Sequence, residues 1–282
     1  MYARPVDLAE AVRLLAEPGA RVLAGGTDIF PAAGERPLSG HYVDVTALPT
    51  LHGLKVEDGR LRIGAAVSWS EIAKADLPPA FAALKAAARE VGGVQIQNRG
   101  TIAGNLCNAS PAADGIPPLL TLDAEVELVS TRGTRRLPLR EFVAGNRRTT
   151  INRDEIMTAI LLPQQPSTAR SSFLKLGARR YLVISIVMVA VLLDIVDGRV
   201  RSARVAIGAC SAAARRLPEV ERQLVGAPAQ LDLGDRIIGE HLAGLSPIDD
   251  LRASAAYRND AALTLVRRAI ECCRRGEAGG IC

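Results

Sequence analysis

The chain has 282 residues, enough for two ordinary domains or one large one, and its 48% apolar content can form a substantial core. A net charge of +5 and an aromatic content of 3% disfavour a nucleic-acid-binding protein, because they indicate neither a basic surface nor stacking platforms. No stretch reaches the roughly 20 uninterrupted apolar residues that a membrane span needs. The N-terminus lacks an apolar signal core, so we expect a cytoplasmic protein.

Cysteine and histidine spacing indicates no metal site. The five cysteines lack C-x-x-C spacing, and the three histidines are scattered along the chain. Zinc and iron–sulfur sites need clustered thiolate or imidazole ligands. We therefore predict that this chain binds no metal.

The first part of the chain alternates between helical and extended patterns. The predicted elements are a helix at residues 6–16, strands at 21–24 and 42–45, a hairpin at 54–63, a helix opening at 68 and a helix at 80–91. The hairpin rests on alternation around Asp58-Gly59, a strong turn signal. Ser68 and Glu71 have the spacing of a capping box.

The second half contains strands first and helices afterwards. The predicted elements are a hairpin at residues 124–137, strands at 156–162, 172–176, 184–195 and 199–207, and helices at 218–225, 233–242 and 248–275. Residues 164–171 are the best candidate for a domain boundary. Strands followed by helices indicate an α+β module in the C-terminal part.

Residues 95–118 differ from their surroundings. They are rich in Gly, Asn, Ser and Pro but contain no run of charge, which predicts a compact polar loop. Such loops are usually functional.

Two small-residue loops carry the chemistry. Gly25 and Gly26, at the end of a predicted strand, would let backbone N–H groups converge on an anion, and Thr27 adds a hydroxyl donor. A plain tight turn remains an alternative, since the G-x-G-x-x-G and G-K-[ST] spacings are absent.

The second loop, residues 99–106, has small residues at Gly100, Ala103 and Gly104 that would again expose backbone donors. Thr101 and Asn105 offer side-chain partners, and Asp114 could bind a sugar hydroxyl. The alternative is a glycine-rich loop held by its own side chains. Two such loops suit a ligand with two phosphates, for example the dinucleotide FAD.

Six stretches together resemble the flavoprotein subunit of the xanthine dehydrogenase and carbon monoxide dehydrogenase family. They are residues 23–28 (LAGGTD), 98–105 (NRGTIAGN), 109–114 (ASPAAD), 175–180 (KLGARR), 205–208 (VAIG) and 249–258 (DDLRASAAYR). The likeness extends over residues 4–268 in the order that the family has.

The resemblance implies an α+β fold. A two-part, PCMH-like FAD-binding domain is expected at residues 1–168, with its two subdomains meeting near residues 53–57. A CO dehydrogenase flavoprotein C-terminal-like domain is expected at residues 169–282, with a three-stranded antiparallel sheet and a helical bundle.

The resemblance also implies the residues that bind noncovalent FAD. They are Val22, Leu23, Ala24, Gly25, Gly26, Thr27, Asp28, Ile29, Val91, Thr101, Ile102, Ala103, Gly104, Asn105, Asp114, Met157 and Lys175. The two loops would surround the pyrophosphate, and Lys175 would stabilise reduced flavin by its charge. No catalytic acid, base or nucleophile is expected, because a flavin carries the redox chemistry itself.

The function implied is that of an electron-transfer subunit of a multi-subunit molybdenum hydroxylase. Electrons would arrive from the [2Fe–2S] clusters of a small subunit and leave to an external acceptor, NAD, oxygen or a quinone. A large molybdopterin-binding subunit would hydroxylate the substrate, and the assembly would be a dimer of heterotrimers. The molybdenum cofactor and the clusters would lie only on those partners.

The chain departs from the family pattern at two positions. Ala103 replaces a usual glycine, which we expect to be tolerated if its φ is negative, and Val183 replaces a frequent Asp near the flavin. Two other functions stay open on residues alone: a self-contained flavin oxidase or reductase, and a nucleotide-binding scaffold that has lost the flavin.

Overall fold

The computed structural model describes residues 1–179, 182–230 and 232–277 of a mixed α/β fold. The first elements are β1 (Tyr2–Ala3), α1 (Leu8–Leu15), β2 (Ala20–Leu23), α2 (Ile29–Ala33) and β3 (His41–Asp44). The three strands form a parallel sheet in the order β1-β3-β2. The Asp7 carboxylate accepts a hydrogen bond from the Glu10 amide and thereby fixes the start of α1.

A larger antiparallel sheet follows, in the order β4-β5-β10-β6-β7. The elements of this part are β4 (Leu54–Glu57), β5 (Arg60–Gly64), α3 (Trp69–Lys74), α4 (Ala82–Glu90), α5 (Val94–Arg99), α6 (Ile102–Asn108), α7 (Ile116–Thr121), β6 (Glu125–Ser130), β7 (Gly133–Pro138), α8 (Leu139–Phe142), β8 (Val143–Gly145), β9 (Arg148–Thr149) and β10 (Ile156–Pro163). β10 occupies the centre of the sheet and is buried over nearly its whole length, as its continuous apolar run indicates.

Two local predictions in this part are confirmed. β4 and β5 pair as an antiparallel hairpin, and its turn residues Asp58 and Gly59 have φ values of 49° and 71°. Both positive φ values belong to a type I′ turn, which Asp-Gly adopts at low cost. The capping box of Ser68 and Glu71 is present at the start of α3.

The prediction of a polar loop over residues 95–118 is wrong, because three short helices, α5, α6 and α7, occupy most of it. The Thr101 hydroxyl caps α6 by accepting a 3.0 Å hydrogen bond from the Gly104 amide. Two prolines in the first turn of α7 remove amides that would have had no partner there. The composition predicts a loop, but the Thr101 cap of α6 and the burial of α7 stabilise helices instead.

The C-terminal part is an antiparallel sheet covered by helices. Its elements are β11 (Ala169–Leu176), β12 (Val187–Val196), β13 (Arg199–Gly208), β14 (Arg215–Arg216), α9 (Pro218–Leu224) and α10 (Ala255–Arg275). The three long strands were expected, and the two-residue β14 makes the sheet four-stranded. Arg180 of the motif at residues 175–180, and residues 278–282 of the expected second domain, lie outside the described residues.

Of the expected helical bundle, the described residues of this part contain one long and one short α-helix, which pack with two 3₁₀ turns. The predicted helix at 233–242 is two separate 3₁₀ turns, Leu233–Arg236 and Gly239–Leu242. Gly234 packs against the backbone of α10, since a Cβ there would lie 2.6 Å from the Arg267 carbonyl oxygen. α10 begins at Ala255 rather than 248, because Ser254 caps it by accepting from the Tyr257 amide.

The larger apolar core fills the N-terminal part and includes Leu192 and Ala206 of the C-terminal sheet, and a second core lies within the C-terminal part. A small third cluster also joins the two parts. In that cluster, alanines of α4 pack against Phe173 of β11 and Met188 and Ala190 of β12. This cluster places the start of β12 beside the large N-terminal part, where the candidate site lies. Within the described residues, no helix combines the length and apolar character needed to cross a bilayer.

Candidate functional site

A cavity of about 1270 Å³ lies where the two parts of the chain meet. Its wall is formed by the loop after β2, by the segment from α5 to residue 114, by residues 151–157 and by residues 182–184. Small-molecule pockets generally measure about 300–1,000 Å³, so this one can accept an extended ligand of dinucleotide size.

The two small-residue loops are in direct contact at this cavity. A Cβ on Gly25 would lie 1.8 Å from the Arg99 carbonyl oxygen and 3.2 Å from the Gly100 Cα, so only glycine permits this approach. A Cβ on Gly100 would lie 3.6 Å from the Thr27 hydroxyl. Loops that are more than 70 positions apart in the sequence therefore form one continuous surface.

The two loops differ in the hydrogen-bonding groups that they leave free. In the first loop, the N–H groups of Gly26, Thr27, Asp28 and Ile29 have no acceptor within the described part of the chain. Such free amides at a bend with a positive φ, here 74° at Gly26, are suited to bind an anion.

In the second loop the expected free amides are absent, which corrects the sequence-based interpretation. The Gly100 amide donates to the Ile96 carbonyl, the Ala103 amide to the Ala65 carbonyl and the Gly104 amide to the Thr101 hydroxyl. These small residues allow close packing rather than anion binding. Ala103 lies inside α6 and is not among the residues with positive φ, so the replacement of glycine there causes no backbone strain.

Most of the residues expected to bind the cofactor line the cavity. Fourteen of them do so: Val22, Ala24, Gly25, Gly26, Thr27, Asp28, Ile29, Val91, Thr101, Ala103, Gly104, Asn105, Asp114 and Met157. Leu23, Ile102 and Lys175 do not. Leu23 and Ile102 point into the apolar core, where their exposed fractions are 6% and 0%.

Lys175 lies behind the cavity wall and forms a buried ion pair with Asp114. Its ammonium group donates to Asp114 Oδ2 at 2.7 Å and to the Glu90 carbonyl at 3.1 Å. Ser185 donates to the other carboxylate oxygen at 2.6 Å. Burial raises the pKa of Asp114, while Lys175 and Ser185 favour its charged form. The Asp114 carboxylate therefore neutralises the positive charge of Lys175, which reduces its electrostatic effect on a ligand in the cavity.

Asn105 provides a side-chain oxygen that has no partner in the described part of the chain. Its Oδ1 atom is buried and accepts no hydrogen bond from the described residues. A Cβ on Gly115 would lie 2.9 Å from this oxygen and 2.4 Å from the Trp69 ring, so the amide is held in a tight space. Orphaned buried polar atoms are uncommon and indicate a missing partner. This side chain, the free amides and the cavity size all fit FAD.

Several residues of the cavity escaped the sequence-based prediction. Arg147 donates to Asn108 at 2.6 Å, and Asn108 donates to Asp28 at 2.9 Å, so hydrogen bonds connect the first loop to the end of α6 and to the turn between β8 and β9. Trp69 lines the cavity as well. In the sequence, two features could have pointed to this network. Gly145 marks a turn just before Arg147, and Asn108 lies three residues after the NRGTIAGN motif.

Glu155 forms a second electrostatic feature of the lining. Its side chain is 4% exposed and accepts two hydrogen bonds from Arg135. The bond from Arg135 lowers the pKa of Glu155 to about 2, against the opposing effect of burial. Val183, the second departure from the family pattern, also lines the cavity. Among the described residues, no group of three His, Cys, Asp or Glu side chains could hold a metal ion.

Two protein-family models match the chain. Residues 1–165 match the FAD binding domain in molybdopterin dehydrogenase, and residues 172–273 match the CO dehydrogenase flavoprotein C-terminal domain.

Individual proteins are similar over most of the chain. The xanthine dehydrogenase FAD-binding subunit of Escherichia coli O157:H7 is 32% identical over 95% of this chain and 94% of its own length. The nicotinate dehydrogenase FAD-subunit of Eubacterium barkeri is 34% identical over 75% of this chain and 73% of its own. A chain of carbon monoxide dehydrogenase from Hydrogenophaga pseudoflava superposes with a TM-score of 0.89 at 26% identity, covering 98% of this chain and 97% of that one.

Proposed function

The chain belongs to the family of FAD-carrying subunits of molybdenum hydroxylases, and on this premise we propose how its cavity holds the cofactor. The free amides of Gly26, Thr27 and Asp28 bind the diphosphate, and the Asn105 side chain gains the partner that it lacks. The Gly104 amide donates to the Thr101 hydroxyl, so this hydrogen bond shapes the second loop and leaves that amide unavailable to the ligand. FAD supplies the redox chemistry, and the protein supplies binding, orientation and electrostatics.

Two apolar side chains form part of the wall of the proposed site. Val91 directly follows α4 and Met157 lies in β10, and both line the cavity. They exclude water along the ligand and contribute burial of apolar surface. Lys175 acts through Asp114 rather than by direct contact, because its ammonium group is already bound there.

The subunit accepts electrons from the [2Fe–2S] clusters of a small subunit and passes them to an external acceptor. Similarity to FAD subunits and medium chains of several dehydrogenases supports this function over that of a self-contained flavin oxidase. We infer that a large molybdopterin-binding subunit completes a heterotrimer and that two heterotrimers associate. The cytoplasmic location stays a prediction.

We also propose the division of the chain into residues 1–168 and 169–282, with the N-terminal unit divided again near residues 53–57. The gap between the two family matches, residues 166–171, supports the first boundary. The end of the parallel sheet at Asp44 and the start of β4 at Leu54 support the second.

Purification of the full chain, alone and with its partner subunits, tests the function. We expect one FAD per chain, released by denaturation without proteolysis because it is noncovalent. The isolated chain should not turn over the substrate of the complex, whereas the complex should. Substrate turnover by the isolated chain, or a folded chain that binds no FAD, would contradict the proposal.

The Asn105 side chain offers a sharper test of the site. Asn105→Ala removes the unpaired amide, while Asn259→Ala removes an amide on α10 that does not line the cavity. A hydrogen bond to a ligand contributes about 0.5–1.5 kcal/mol, so we expect FAD to bind roughly two- to tenfold more weakly to the first variant only. Equal affinity of both variants would exclude Asn105 from the site.

A further inference from the structure

One buried arginine in α10 does not line the cavity. Arg258 closes the motif at residues 249–258, and its side chain is 3% exposed. Its Nη1 group donates to the Ile186 carbonyl at 2.7 Å and to the Ala209 carbonyl at 3.1 Å. Its Nη2 group donates to Asp250 Oδ1 at 2.8 Å, which balances the buried charge.

The two carbonyl groups that Arg258 holds lie next to two contacts between the C-terminal part and the segment 111–114. Ile186 directly follows Ser185, whose hydroxyl donates to Asp114 at 2.6 Å. Ala209 directly follows β13, and its amide donates to the Pro111 carbonyl at 2.8 Å. One guanidinium group therefore holds the backbone beside both contacts, and the ion pair of Lys175 with Asp114 is a further contact to the same segment.

This segment is part of the candidate site. Ala112, Ala113 and Asp114 line the cavity, and Asp114 carries the buried ion pair with Lys175. Ala209 has a φ of 64°, a strained value for alanine, so its backbone needs an external restraint. The hydrogen bond from Arg258 to its carbonyl is such a restraint.

We propose that Arg258 is a positioning residue that holds the cavity wall 111–114, and with it Asp114, in the geometry that binds FAD. The inference rests on the proposed FAD site. Arginine suits this role because its planar fork reaches two carbonyl groups and a carboxylate at once. A lysine is a point charge on a flexible stem and cannot maintain the three bonds in one geometry.

Two measurements on the full chain test the role, one without cofactor and one with it. Hydrogen exchange of the peptide spanning residues 109–116 is measured in the apo chain, and the FAD dissociation constant is measured by titration. The variants are Arg258→Met, Arg258→Lys and, as a matched control, Arg267→Met. Arg267 lies on the same helix and also donates to a backbone carbonyl, that of Ile237, but that contact is remote from the wall.

Loss of a hydrogen bond from a charged donor costs about 1.5–3 kcal/mol, so we expect exchange in the wall peptide to accelerate at least about tenfold in Arg258→Met. FAD should bind about tenfold more weakly, with Arg258→Lys between it and wild type. Arg267→Met should change neither quantity. If Arg258→Met does not fold, the folded Arg258→Lys variant decides by the same criteria.

Wild-type exchange and wild-type FAD affinity in the folded Arg258 variants would overturn the inference while leaving the FAD site in place. Equal changes in Arg267→Met would also overturn it, because they would show general destabilisation. A wild-type chain that binds no FAD would instead refute the proposed function, and the exchange of the wall peptide would still decide whether Arg258 holds it.

Discussion

Gly25→Ala is the substitution that most directly tests the contact between the two loops. The new methyl group would lie 1.8 Å from the Arg99 carbonyl oxygen and 2.7 Å from its carbon. Non-bonded heavy atoms have their optimum near 3.5–4.0 Å, so the loops must separate by roughly 1.7 Å. Both obstructing atoms belong to the backbone, so no side-chain rotation can relieve the clash.

The magnitude follows from overpacking and from the lost donors. Overpacking typically costs about 1–3 kcal/mol, and a backbone clash should lie near the upper end. At about 2–4 °C per kcal/mol for a protein of this size class, Tm should fall by about 6–12 °C with or without cofactor. If the shift misplaces two amide donors, FAD should bind about 100-fold more weakly, at about 1.4 kcal/mol for each donor.

The assay combines a thermal melt of the apo chain with an FAD titration. Gly239→Ala is the matched control, since a Cβ there meets nothing within 4 Å and its φ is not positive. Its Tm and FAD affinity should remain close to those of wild type. An unchanged melt and an unchanged FAD affinity in Gly25→Ala would show that the loops do not touch in the folded protein.

Three further substitutions address charge and backbone at the site. Lys175→Met should lose about 3–5 kcal/mol in a urea titration, because it leaves the buried Asp114 carboxylate without its counter-ion, and adding Asp114→Asn should recover part of this loss. Because the hydrogen bond from Arg135 lowers the pKa of Glu155 from 4.5 to about 2, its stabilisation is present above pH 4.5 and is lost as the pH falls to about 2. The difference in unfolding free energy between wild type and Glu155→Gln should therefore shrink over that interval, and a constant difference would contradict the assignment. Ala103→Gly should lower the free energy of unfolding by about 0.5–1 kcal/mol in a thermal or urea experiment, since it places glycine inside a helix. The substitution should not tighten FAD binding. Tighter binding would indicate that the glycine usual in the family contacts the cofactor directly.

Elements with strong local signals could be predicted from the sequence. The turn at Asp197-Gly198 has φ values of 50° and 70°, as a two-residue hairpin requires, and it joins β12 and β13 in the expected antiparallel pair. Bounds were displaced where a cap intervened, as at Ser254. Patterns with a period of two or 3.6 residues are local, and they survive folding unless a cap or a close contact overrides them.

The sequence predicted the two loops of the site, but it did not predict the long-range side-chain contacts that hold the site together. The pair of Asp114 and Ser185 spans 71 positions, and the bond from Arg258 to Ile186 spans 72. No local pattern records such separations, because they arise only when distant segments pack together, the first across the two parts of the chain and the second within the C-terminal part. Lys175 shows the consequence: its charge was expected at the flavin, whereas packing pairs it with Asp114.

Glycines in binding loops have two distinct roles, and in this cavity each role is filled by a different glycine. Gly26 has a positive φ in a loop whose following amides have no acceptor among the residues that the structure describes, so it belongs to an anion-binding bend. Gly25 is required because another backbone occupies the position of its Cβ. The Ala103 amide donates to the Ala65 carbonyl, so an added methyl group at residue 103 removes no donor from a phosphate. Tolerance of alanine at that position therefore follows from where its amide is already bound.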